Sequence, residues 1–335
     1  MRRLLLVILL ILGLAPAMCV YKTAKPWNPT PTLRFTSVEL PPRGELAHHL
    51  GAFELEGAWQ LTSQYSAFGG YSALVPLPDG RLIAIADNGR RFTFSPPGVP
   101  AAPADSGEVL PWRVRPALHR RDDRDTEAAT RDPATGTIWV AREGSNSIAR
   151  VDPAFRGFVS TRPPAMRDWP ENGGPEAMVR LADGRFILLE EVTTSLVEPR
   201  LHHALLFPRD PLTGVKPMQF TFAGAPEFST TDMAQLPDGR VLILMRRLLW
   251  PLPLRFAGRI MIADPAAIRS GAVWPSIEVA KLTSSLPVDN FEGMAIVPRG
   301  DGRVTVWLIS DDNHAATQRT LLWKLVVDPA RLPRS

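Results

Sequence analysis

One cysteine, five lysines and three tyrosines are all that 335 residues contain of those types. With Cys19 alone, no intramolecular disulfide can form and a cysteine-based metal cluster is excluded. The formal net charge is only +4, and the high pI comes from arginine. No block of Lys and Arg occurs, so nucleic-acid binding is not expected. Phosphate-binding Gly-Lys loops, dinucleotide fingerprints and His-Glu-x-x-His are all missing. Gly69-Gly70-Tyr71-Ser72 lacks the second glycine and the strand-to-helix setting of a nucleophile elbow, and nothing pairs Ser72 with a base.

What is present is enough apolar residue, 45%, for a large core, with 34 prolines and 24 glycines scattered along the chain. That composition suits many short strands and turns. Met1-Arg2-Arg3, the apolar run Leu4–Leu14 and Ala15-Pro16-Ala17 follow the order of a secretory signal. The apolar stretch continues to Val20, so an uncleaved anchor is the alternative. Either way the rest of the chain is expected outside the cytoplasm, periplasmic or secreted, with membrane attachment, if any, through this segment. Residues 18–45 are expected to form an extended tether and an opening strand.

From there one pattern recurs five times: Tyr71–Arg90, Asp125–Asn146, Gly174–Glu191, Thr230–Leu249 and Asn290–Asn313. Each copy has a short segment, a turn usually written Asp-Gly-Arg, a run of β-formers and then charged or amide residues. The turn glycines Gly80, Gly136, Gly184, Gly239 and Gly302 stand 56, 48, 55 and 63 residues apart. Repeats of this period built from strands predict propeller blades. Asp-Gly supplies the positive φ of a tight hairpin. The runs Arg81–Ala86, Thr137–Ala141, Arg185–Leu189, Arg240–Met245 and Val304–Ile309 are apolar on both faces, as expected for strands sandwiched between blades. Ser147–Asp152, Ala204–Phe207, Lys216–Phe222, Arg259–Asp264 and Leu321–Val327 read as outer strands. The expected fold is an all-β propeller over residues 46–335, with six blades if Ala52–Thr62 completes one with the carboxyl end, and five as the alternative.

Aligned on the turn glycine, Ser72, Glu127, Glu176, Asp232 and Glu292 begin the first strands. Asp87-Asn88, Arg142-Glu143, Glu190-Glu191, Arg246-Arg247 and Asp311-Asp312-Asn313 follow the second strands. A hairpin returns its end to the edge where it began, so both sets are expected on one face, near the channel. Converging carboxylates cannot all ionise without a cation or arginine. Oxygen-only ligands favour Ca²⁺ or Mg²⁺. A structural alternative stays open, in which each carboxylate bonds amides of the next blade or pairs with arginine. Of the six histidines, only His314, beside Asp311-Asp312-Asn313, is placed to act as an acid or base.

With these residues in view the chain resembles the phytase-like family, described as having esterase-like activity of phytase. The resemblance runs from about Leu46 to Val327. It is carried by Glu54–Thr62, Gly69–Gly89, Asp125–Glu143, Gly174–Glu191, Asn290–Gly293, Ser310–Asn313 and Gln318-Arg319-Thr320. It implies a secreted or periplasmic propeller that hydrolyses phosphate or other esters, similar in kind to calcium-dependent propeller phytases. Ser72, and Ala128 where the last repeat has Gly293, depart from a fully acidic pattern. On this reading Glu127, Glu176, Asp232, Glu292, Asp311 and Asp312 hold the cation, Ca²⁺ or Mg²⁺. Arg142, Arg246 and Arg247 bind a small anionic ester. Glu292, Asp311 and His314 act in catalysis, with metal-activated water as the nucleophile. No organic cofactor is expected, and the protein is expected to be a monomer. The alternative is a non-catalytic propeller that binds a ligand or envelope partner through the same face.

Overall fold

The computed structural model describes residues 22, 26–110, 125–194, 197–249 and 255–334. The signal or anchor segment and His119 lie outside the described residues. Among the described residues, no helix is long and apolar enough to cross a membrane.

The strands form five antiparallel sheets arranged as the blades of a propeller. The first blade consists of Tyr71–Pro76, Leu82–Ala86, Arg90–Phe94 and Asp105–Glu108. The second consists of Thr126–Arg131, Ile138–Arg142, Ser147–Val151 and Phe158–Thr161. The third has Pro175–Arg180, Phe186–Glu190, Leu201–Phe207 and Met218–Ala223, with Val273–Trp274 added in parallel at its edge. The fourth has Ser229–Gln235, Val241–Leu249, Arg255–Ala263 and Ile277–Leu282. In the fifth, Asn290–Pro298, Val304–Asp311 and Leu321–Val327 are joined by Glu54–Thr62 and Arg34–Ser37 from the amino-terminal side.

The blade count is therefore five, not six. Glu54–Thr62 pairs with Leu321–Val327, Gln60 standing opposite Leu321. After Asp311 the chain has a single strand left, and that strand is needed by the hairpin before it. Among the described residues nothing remains to build a sixth blade, and the amino-terminal strands close the ring by completing the fifth. The short helix α1, Arg43–Leu50, packs Leu46 and Leu50 against the apolar layer between the fourth and fifth blades.

The continuous apolar runs have a direct reason. Successive side chains of a strand face opposite sides. In the first blade, Leu82, Ala84 and Ala86 pack toward the fifth blade with Trp307 and Ile309, whereas Ile83 and Ile85 pack toward the second with Ile138 and Val140. Five apolar layers result, one between each pair of neighbouring blades. Each buried Leu, Ile or Val in them contributes about 1.5–3 kcal/mol.

The hairpin turns repeat one small device. The Asp carboxylate accepts the Arg backbone N–H and pairs with Arg Nε, at 2.7 Å for Asp79–Arg81 and 2.8 Å for Asp183–Arg185. Asp238–Arg240 and Asp301–Arg303 do the same. The glycine between them sits at φ 84°, 90°, 95° and 81° in the four turns, a region open to glycine. These aspartates and arginines belong to the turns and take no part in the channel.

Candidate metal centre

The innermost strand of every blade carries a β-bulge near its start. The paired residues skip from Tyr71 to Ala73, Thr126 to Ala128, Pro175 to Ala177, Thr230 to Asp232, and Phe291 to Gly293. The residues left unpaired are Ser72, Glu127, Glu176, Thr231 and Glu292. A bulge re-aims its side chain, and here it sets one equivalent residue per blade at the channel, forming an inner ring.

A second ring follows from the same register. The residue just beyond the partner of each pre-bulge position is Asp87, Glu143, Glu191, Arg246 or Asp311. The two rings together hold seven carboxylates and one arginine. Asp125, two residues before Glu127, adds an eighth acid; its carbonyl accepts the Glu143 amide at 2.8 Å.

Five of these acids meet closely. Oxygens of Asp125, Glu127 and Glu143 lie within 4.8 Å of one another, and so do those of Glu143, Glu176 and Glu191. Glu143 belongs to both groups, and its Oε1 accepts the amides of Gly173 and Gly174. Burial, then repulsion from Glu176 and Glu292, pushes Glu127 well above the usual carboxylate range. Burial and Glu191 do the same to Glu176, opposed by Arg246. Burial also raises Glu143, against the pull of the Gly173 amide. For Glu127, Glu176 and Glu143 the cause is shared: partial or full burial beside other acids, with few positive partners.

Arg246 is the one basic residue in the two rings. Its Nη2 lies 3.3 Å from Glu191 Oε1 and its Nε 3.1 Å from Glu292 Oε1. Burial disfavours its charge, but Glu292 and Glu191 outweigh that and hold the guanidinium firmly protonated. Asn290 donates Nδ2–H to Glu292 Oε1 at 2.7 Å. Burial raises Glu292, with Arg246 and Asn290 pulling the other way. Asp311 is raised well above its ordinary range by burial and by Glu292, although its Oδ1 accepts the Asn313 amide at 2.7 Å. Asp87 is raised by burial, and its Oδ1 is buried with no hydrogen-bond partner among the described residues.

The structure thus brings Glu127, Glu176, Glu292, Asp311 and Arg246 to one channel mouth. It does not bring Asp232, Asp312, Arg142 or Arg247 there. Asp232 stands one place past the bulge that Thr231 occupies. Its carboxylate accepts the amides of Met233 at 2.8 Å and Met294 at 2.7 Å, bracing the fourth blade against the fifth. Asp312, Arg142 and Arg247 each adjoin a second-ring residue, so strand alternation turns them elsewhere. Asp312 pairs with Lys22 and accepts the Gly70 and His314 amides at 3.2 Å and Thr320 Oγ1–H at 3.1 Å. Burial raises it, but Lys22 and these donors leave its carboxyl below the ordinary value. Arg142 donates Nε–H to Ser147 Oγ at 2.9 Å. Arg247 pairs with Glu227 at 2.5 Å on an exposed edge.

His314 is half exposed at the rim, its Nδ1 4.0 Å from Asp312 Oδ1. A Cβ on Gly70 would stand 3.1 Å from His314 Nε2 and 3.0 Å from Asp87 Oδ1, so this glycine makes room for both. The acids that sequence reasoning left out as ligands are Asp125, Glu143 and Glu191. The signal is in the sequence: Glu143 and Glu191 stand in the post-strand set, beside Arg142 and Glu190.

A family model described as "Phytase-like: Esterase-like activity of phytase" matches residues 66–314. A search of curated proteins returned no match. Among solved structures, the chain is similar to a glutaminyl cyclase of Myxococcus xanthus, at 12% identity and a TM-score of 0.45, over 82% of this chain and 96% of that one. It is also similar to a gluconolactonase of Xanthomonas campestris, at 11% identity and a TM-score of 0.44, over 92% and 100%. A PQQ-bound aldose sugar dehydrogenase of Streptomyces coelicolor gives 12% identity and a TM-score of 0.44, over 89% and 100%. The three have different chemistries, and none is carried over to this chain.

Proposed function

The chain belongs to the phytase-like family, and from that premise we propose that it is an extracytoplasmic, cation-dependent hydrolase of anionic esters, phosphoesters foremost. The observation that carries the proposal is the pair of oxygen clusters sharing Glu143, Asp125/Glu127/Glu143 and Glu143/Glu176/Glu191, with oxygens within 4.8 Å. Oxygen-only donors of this charge fit a hard divalent cation, Ca²⁺ or Mg²⁺. When bound, such a cation supplies charge neutralisation and Lewis-acid polarisation of an ester oxygen and of water.

The remaining roles fall to the chain itself. The Gly173 and Gly174 amides orient Glu143. Arg246, held by Glu292, presents guanidinium N–H groups to an anionic group. Asp311, whose carboxyl burial and Glu292 push well above its ordinary range, would give a proton to a leaving oxygen. His314, open to solvent at the same mouth, is placed to take or pass on a proton.

The test is turnover of p-nitrophenyl phosphate and of a p-nitrophenyl carboxylic ester, in EDTA and then with Ca²⁺ or Mg²⁺. Hydrolysis that needs the cation and disappears in Glu176→Gln supports the proposal. Turnover indifferent to EDTA, or none on either substrate under any condition, contradicts it.

A further inference from the structure

We propose that Arg246 is a built-in counter-cation which a divalent cation dislodges from Glu191, and that the freed guanidinium then takes one oxygen of an anionic substrate. Cation and anion would therefore bind cooperatively, the cation first. The inference rests on the cation-site reading above and adds to it an order of binding.

Glu191 serves two partners. Its Oε1 lies 3.3 Å from Arg246 Nη2, and the same carboxylate belongs to the cluster with Glu143 and Glu176. Glu176 supplies the independent sign that this cluster awaits a ligand. It is only 6% exposed, its carboxylate faces those of Glu143 and Glu191, and it accepts no hydrogen bond from any described residue. A carboxylate so buried and so unsatisfied is costly unless something positive comes to it.

A doubly charged ion held by Glu143, Glu176 and Glu191 would stand beside the guanidinium. It competes with Arg246 for Glu191 and repels it as a like charge. Arg246 does not leave the site, because the ion pair with Glu292, Nε to Oε1 3.1 Å, remains, although that N–H makes no hydrogen bond to a described residue. The contact released is the one through Nη2. The guanidinium then has free N–H donors next to the cation, a geometry that suits a phosphate or carboxylate with one oxygen on each. Without the cation the same mouth offers an incoming anion mostly carboxylates, and the charge of its arginine is already balanced by Glu191 and Glu292. The bound anion in turn relieves the repulsion between cation and arginine, so each ligand tightens the other by the same factor.

The experiment is calorimetric titration of the full chain with Ca²⁺ and with inorganic phosphate, separately and together. Wild type should bind phosphate only in Ca²⁺, and saturating phosphate should tighten Ca²⁺ by ~5-fold or more. Arg246→Gln should bind Ca²⁺ more tightly than wild type without phosphate and lose the phosphate effect. Arg246→Lys, which keeps the charge but not the fork, should lose the phosphate effect with little change in Ca²⁺ affinity, and it serves if the glutamine variant does not fold. Phosphate binding by wild type that ignores Ca²⁺ would overturn the proposal. So would a folded Arg246→Gln whose Ca²⁺ affinity is unchanged or weaker. If wild type binds Ca²⁺ but shows no coupling, the cation reading stands and this inference falls. If it binds no divalent cation, both fall.

Discussion

Asp232 leaves its own blade to accept the backbone amide of Met294 in the next, at 2.7 Å. Its neighbour Thr231, and not Asp232, stands where three other blades present a glutamate to the channel. Asp232 is thus a strut. Asp232→Asn puts an amide N–H₂ where a carboxylate oxygen accepts backbone donors. It should cost roughly 2–4 kcal/mol of stability in urea unfolding. The increase in melting temperature on adding Ca²⁺ should remain as in wild type, and its loss would return Asp232 to the ligand set.

Glu176 has the opposite character. Burial and Glu191 hold it well above the ordinary range, and no described residue donates to it. Glu176→Gln removes one charge from a crowded site. In EDTA the variant should melt about 1–3 °C higher than wild type. In Ca²⁺ it should melt lower, having lost a ligand. A variant destabilised in both conditions would mean that the carboxylate is structural.

Gly293 follows the bulged Glu292 where the first blade's inner strand passes close. A Cβ there would lie 2.9 Å from the Ala73 carbonyl carbon and 2.7 Å from Ile309 Cγ2. Gly293→Ala should cost about 1–3 kcal/mol, as overpacking does. Equal urea midpoints for variant and wild type would contradict so close an approach.

His202 is fully buried, and burial lowers its pKa from 6.5 to about 4. The unfolded chain therefore binds more protons than the folded one between those values. The stability that comes from keeping this ring neutral is fully present above pH ~6.5. It is lost as pH falls through the window toward 4, by roughly 3 kcal/mol in all. His202→Gln should differ from wild type in the slope of stability against pH within that window and run parallel to it above pH 7. Parallel curves throughout would mean that His202 is exposed to solvent.

The propeller was legible because its cause is local. Runs such as Leu82–Ala86 are apolar on both faces only because a blade packs on each side, and Asp-Gly-Arg marks each hairpin. The blade count was less legible. Whether Glu54–Thr62 begins a blade or finishes one depends on its pairing with Leu321–Val327, across almost the whole chain. At the site, the pattern predicts both sets at one end of the hairpins, and the strand register departs from it by single residues. Hairpins of unequal length blur an alignment on the turn glycine, and the bulge adds one residue that only backbone register reveals. Hence the expected Asp232 stands one residue past Thr231, Arg142 one residue before Glu143 and Asp312 one residue past Asp311.

Thermal unfolding tests most directly whether the acidic channel is a cation site. The purified protein would be melted in EDTA and then with increasing Ca²⁺, and separately Mg²⁺. Binding to the folded state alone stabilises by about 2.7 kcal/mol at a hundredfold excess over Kd. The expected result is a saturable rise of several degrees that Glu176→Gln abolishes. A melting temperature unmoved by either cation would mean that the acids are balanced within the chain, by Arg246 and by protonation, and would contradict the account.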